Sequence, residues 1–274
     1  ISIIGNGTFY YIPPDTKVAG TFIGSAFANV CTTIATNCHL HLSLKNGAIW
    51  GGPIPGGYPV VDTDWGRVVK IGPICFGQPR DVCVPIILPT SFPKISNPSS
   101  HESCQIRDGD AYLSVTVTFG HFCSESAPKI AYEVSDLSVT KESILSHYRH
   151  HVIQKISRAV SLLSVGNSEG VTLIDKLATE DVTTLYPTSR SLWDSVTHDP
   201  LYRGISEDIR ERVRKAISSV DRYKRWGCHY LLAITRAYLT QTQTNNIDRG
   251  LQAFGGLLFK EMTEFSAGVF VSLP

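Results

Sequence analysis

Charge is scarce in this sequence. Only 18% of its 274 residues are Asp, Glu, Lys or Arg, and they nearly cancel, to a net +1. Such a balance gives no long-range attraction to nucleic acid or anionic lipid, so contact of that kind must come from a local patch. No run of 18 apolar residues occurs, so no membrane span is expected. The opening stretch ISIIGNGTFYY has neither the basic start nor the long apolar segment of a signal peptide. Methionine is nearly absent. Met262 stands alone and none begins the chain, a start that suits proteolytic processing, polyprotein cleavage or a segment left out of the numbering alike. Catalytic signatures are missing as well: there is no G-x-S-x-G, no P-loop, no G-x-G-x-x-G and no H-E-x-x-H. No catalytic residue and no cofactor is therefore assigned.

What is present divides near residue 135. The first part holds 12 of the 15 prolines and 14 of the 22 glycines, a density of breakers that leaves little room for long helices. Cys38–Leu44 alternates, with Cys38, Leu40, Leu42 and Leu44 on one face and His39, His41 and Ser43 on the other. Asn46-Gly47 then predicts a hairpin, with Ala48-Ile49-Trp50 as the returning strand. Arg67–Gly72, Asp81–Leu88, Ala111–Phe119 and Lys129–Val134 read as further strands, and Lys17–Ile34, rich in Val, Phe, Ile and Thr, as one or two more. Seven to nine half-buried strands predict an antiparallel β-sandwich or barrel-like part, with a jelly roll among the closures that this strand count allows.

From residue 136 the period changes to that of helices. Thr140–Ser164, stopped by Gly166, carries Leu145, Tyr148, Val152, Ile156, Ala159, Val160 and Leu163 on one stripe. Shorter helices are predicted over Ser168–Thr179 and Ser189–Val196, a long one over Ser206–Gln241 with a kink or break at Gly227, and a last one over Asp248–Glu264. Gln241–Asn246 reads as a polar connector, and the apolar tail Ala267–Leu273 as a strand. The expectation is an α+β chain: a β-rich part over 1–135 and an α-helical part of about five helices over 136–274, packed on it as one unit.

Candidate chemistry is thin. His147 and His151 are one helical turn apart, a spacing compatible with metal ligation, but no acidic residue occurs between Glu142 and Glu169 to complete a site. Cys38-His39-Leu40-His41, His101…Cys104 and His121…Cys123 lack the paired spacing of zinc modules. Asp62…Asp64 and Asp108…Asp110 suit turns as well as cations. Seven cysteines without C-x-x-C predict free thiols in a reducing compartment, with a three-disulfide framework as the alternative.

The stretch Arg203–Arg236 holds nine Lys or Arg against four Asp or Glu. Its basic face, Arg210, Arg214, Arg222, Lys224 and Arg225 beside Trp226, is the candidate surface for nucleic-acid phosphates or an acidic partner. Taken together, low charge and loop-rich strands suit large subunit contacts. The expected function is non-enzymatic: a structural or assembly protein such as a viral capsid, capsid-clamping or matrix-like subunit, located in a virion or the cytoplasm. It would act through self-assembly or other structural subunits, with RNA as a further contact. Two alternatives stand beside it, a nucleic-acid-binding accessory protein using 206–226 and a hydrolase or metal enzyme with an unrecognised site.

Overall fold

The computed structural model describes residues 9–11, 19–89, 111–120, 129–134, 138–180, 183, 185 and 190–272. The first element is a helix, α1 (Ala19–Cys31), where the sequence predicts strands. Its buried positions, Phe22, Ser25, Ala28, Asn29 and Thr32, recur at the helical period. Apolar residues occupy both sides of it, so apolar type alone hides that period.

The strands follow: β1 (Thr33–Leu44), β2 (Ile49–Trp50), β3 (Val60–Thr63), β4 (Gly66–Cys75), β5 (Ile86–Ile87), β6 (Leu113–Gly120) and β7 (Lys129–Val134). Five of them form one antiparallel sheet in the order β3-β4-β1-β6-β7. Among the described residues the expected antiparallel sheet is present and does not close into a barrel; its inner face meets helices, so the sandwich is borne out only in part. Asn46 and Gly47 do form the predicted turn, both with positive φ. The return strand, however, leaves the sheet, and Ile49–Trp50 pairs with Ile86–Ile87 as a separate two-stranded ribbon. The alternation in β1 holds, with Cys38 and Leu42 buried beneath helices and His41 on the opposite face, stacked on Trp65.

The helices are α2 (Lys141–Ser164), α3 (Glu169–Thr179), α4 (Arg190–Thr197), α5 (Pro200–Asp208), α6 (Arg214–Ile217), α7 (Val220–Arg222), α8 (Cys228–Thr240), α9 (Arg249–Gln252) and α10 (Leu257–Ser272). α2 begins on a capping box between Thr140 and Ser143. Single π turns, Ile209–Val213 and Tyr223–Gly227, splice α5 to α6 and α7 to α8. The predicted long helix is therefore two rods. The break falls at Ser218-Ser219, where the Ser219 side chain caps α7, and not at Gly227. Gly227 has a different task. A Cβ there would lie 2.1 Å from the Ala216 carbonyl oxygen, so glycine is what lets the second rod fold back against the first. The tail runs on as α10 instead of forming a strand, and Gly255-Gly256 separate it from α9.

One continuous core joins the layers. Cys38, Leu42, Val69, Ile71 and Leu113 of the sheet pack with Ile144, Val152, Ile156, Ile205, Leu231, Ile234 and Tyr238 of the helices. α8 is its centre, with Leu231, Ile234, Ala237 and Tyr238 buried.

Candidate interaction surface

The C-terminal end of α8 is where the layers are tied. The predicted polar connector is not a surface link, because Thr240 to Asn245 are all buried. Buried polar groups need partners, and here the partners come from four directions. Tyr58 donates to the Leu239 carbonyl at 2.7 Å. Arg149 of α2, wholly buried, donates to the Tyr238 carbonyl at 2.6 Å and to the Asp81 carbonyl at 3.1 Å. Gln241 exchanges hydrogen bonds with the Asp81 backbone and side chain. Asn29 of α1 donates to the Gln243 carbonyl at 2.9 Å.

The last of these bonds fixes how α1 lies. Its inward face is small or polar: Ser25, Ala28, Asn29 and Thr32, with Phe22 the one large apolar member. The Ser25 hydroxyl and the Asn29 side-chain carbonyl are buried there with no hydrogen-bond partner among the described residues. Its outward face is apolar: Ile23 is 48% exposed, Phe27 49% and Val30 73%, with Ile34 just beyond the helix. A surface helix ordinarily buries its apolar stripe and shows its polar one; α1 does the reverse. It contains no charged residue. α10 lies along it, with Ser266 opposite Gly24, and adds exposed Phe265 and Val269.

The residues predicted from sequence fall elsewhere. The basic set is divided. The Arg210 guanidinium donates to the Ala178 carbonyl, and Arg214 pairs with Asp175, so both reach toward α3. Trp226 is part of the packing, against Tyr11 and Tyr230. Arg222, Lys224 and Arg225 remain exposed on the second rod, Arg225 beside Asp221. His147 and His151 do meet, in a cleft of about 250 Å³ also lined by His150, Gln154, Pro53, Pro55 and Pro85. They do not form a chelate, since the His151 Nε2 is taken by Glu180 at 2.8 Å. Among the described residues no three His, Cys, Asp or Glu side chains gather to hold a metal.

His150, the third histidine of the same stretch, is the buried member of that cluster. Its Nδ1 lies 2.8 Å from the carbonyl of Ser146, to which it must donate, and 3.4 Å from the Cys83 sulfur. The ring nitrogen nearest the thiol thus carries a proton and cannot act as its base. Burial, then the Arg149 charge, lowers the His150 pKa to about 4, while burial pushes the Cys83 thiol up. Both groups are held neutral, the reverse of an activated cysteine.

A second buried cluster lies between α5, α8 and α9. Asp208 accepts from the Arg249 and Gly250 amides and from the Tyr238 hydroxyl. Asp248 accepts from Tyr230 and Asn245 and pairs with Arg212. Burial and the neighbouring Asp248 raise Asp208 to about 6. The space beside Asp248 and Arg212, about 20 Å³, is room for one water, so the cluster serves as a helix joint.

Cys31, Cys38, Cys75, Cys83 and Cys228 are free thiols. Cys104, Cys123, His101, His121, Asp108 and Asp110 lie outside the described residues. No helix among the described residues is long and apolar enough to cross a membrane.

No curated protein and no solved structure matches this chain. A family model described as VWA / Hh protein intein-like matches residues 199–267, from the N-cap of α5 into α10. The likeness takes in the acid joint and the α8 hub, and it leaves out α1 and the whole sheet.

Proposed function

We propose that this chain is a non-enzymatic interaction module that presents the outward face of α1, flanked by α10, to another protein surface. The observation that carries this reading is the inverted helix. Ile23, Phe27 and Val30 are left in water while two polar groups on the opposite side go unpaired inside. Both arrangements cost free energy in the isolated chain. Covering the outward face recovers the first cost. A capsid or matrix subunit is one narrower form of this proposal.

The test is whether the face belongs to the chain's own fold. Phe27→Asp combined with Val30→Asp, unfolded at dilutions where the wild-type chain is monomeric so that a bound partner adds nothing, is expected to leave the unfolding free energy within about 0.5 kcal/mol of wild type, as for substitutions that touch no packing. A loss of the size seen for core substitutions, about 2 kcal/mol or more, would place the face in the fold and sink the reading.

Exposed Arg222, Lys224 and Arg225 favour a second, smaller reading as a phosphate-contacting patch. Replacing all three by Glu would abolish RNA binding and its salt dependence if they carry it. Unchanged binding would remove the patch from consideration.

A further inference from the structure

We infer that the partner seated on the α1–α10 face is a second copy of this chain, packed α1 against α1 about a two-fold axis. The inference rests on the interaction-module reading above and names its partner.

Two features of the face select a copy of itself. The first is charge. In a two-fold interface every residue meets the same surface from the other copy, so any charge near the axis meets its like. α1 has no Asp, Glu, Lys or Arg over its whole length, and the residues that would meet across the axis are Ile23, Phe27 and Val30. A charged partner surface would find nothing on α1 to pair with, whereas a second α1 brings an equally uncharged stripe. The second is area. Ile23, Phe27, Val30, Ile34, Phe265 and Val269 are between 42% and 73% exposed. At roughly 100 Å² each they present on the order of 600 Å² of apolar surface. That is the upper end of what a monomer ordinarily leaves uncovered, and with a polar margin it approaches the ~800 Å² per partner of a stable interface. Gly20 adds room for close approach at the start of α1, since a Cβ there would meet nothing within 4 Å.

Static light scattering across a concentration series tests this directly on the full chain, beside Phe27→Asp and, separately, Val30→Asp, each checked for folding by circular dichroism. The hydrophobic dye ANS is titrated in parallel. The expected result is a dimer whose dissociation constant rises about thirtyfold or more in either variant. A dimer that both variants leave intact would overturn the inference, because another surface holds it. A wild-type monomer that binds ANS, with the binding lost in the variants, would overturn the second copy and leave the docking face standing. A wild-type monomer that binds no ANS would overturn both.

Discussion

α1 and α8 are both helices of 13 residues, and both are almost devoid of charge. The chain treats them in opposite ways. α8 is enclosed, with apolar residues packed on the sheet-side helices and its C-terminal carbonyls caught by Tyr58 and Arg149. α1 is half covered, and the covered half is the polar one. Enclosure makes α8 a determinant of stability. Half-enclosure makes α1 a surface held by packing along α10 and by the bond from Asn29 to the Gln243 carbonyl. Apolar composition alone does not say which of the two a helix will be.

The contrast can be broken most forcibly at Gly227. Gly227→Val would drive a side chain into the Ala216 carbonyl and pry the two rods apart, and a loss of 4 kcal/mol or more is expected by denaturant unfolding, in the range of ~4–5 kcal/mol that marks a severe defect. Arg149→Ala is next. It strips the Tyr238 and Asp81 carbonyls of a buried donor and leaves a cavity, for a loss of about 3–5 kcal/mol. Leu231→Ala in α8 should cost about 2–4 kcal/mol, since that side chain is fully buried.

A pH series sharpens the picture at the joint that α8 shares with α5 and α9. Burial raises the Asp208 carboxyl to about 6 in the fold, against an ordinary 3.8. A raised folded value contributes stability that is fully present below the unfolded pKa and is lost as pH rises through the folded one. Its contribution therefore falls between about pH 4 and pH 6. His150 works the other way. Its folded pKa, about 4 against 6.5, gives stability present above pH 6.5 and lost as pH falls toward 4. The two slopes oppose each other in one window. His150→Phe should make the protein more stable toward acid relative to its own neutral-pH value, and Asp208→Asn should make it less so, each by on the order of 2–3 kcal/mol across the window. Equal slopes in wild type and both variants would show that neither group is perturbed. The smallest effect belongs to α1, where Ile23→Ser should shift unfolding of the dilute, monomeric chain by no more than about 0.5 kcal/mol.

Much of this architecture was legible in the sequence. β1, β4, β6 and β7 follow from alternation and turn residues, and α2 follows from its stripe and from Gly166. What was hidden depended on tertiary contact. Ile49-Trp50 answers to Ile86-Ile87, a pairing that no local pattern specifies. Thr240–Asn245 looks like a solvent link because its side chains are polar, and it is buried where Asn29 and Asp81 bond to it and Arg149 and Tyr58 bond to the α8 carbonyls just before it. His150 stands one residue from His151 on the same helix, and only burial distinguishes it. The α1 face was missed for a related reason. By residue type Lys17–Ile34 reads as strand, although the spacing of Ser25, Asn29 and Thr32 on one side is a signal of the helix.

In the proposed dimer the outward side of α1 is reserved for a second copy and plays no part in the chain's own fold. Backbone amide NMR on serial dilution tests it most directly. Resonances of Thr21–Ile34 and of Phe265–Val269 should shift together with a single dissociation constant, while those of α8 and the sheet interior stay still. Shifts confined to other surfaces, or no shift at any concentration, would contradict it.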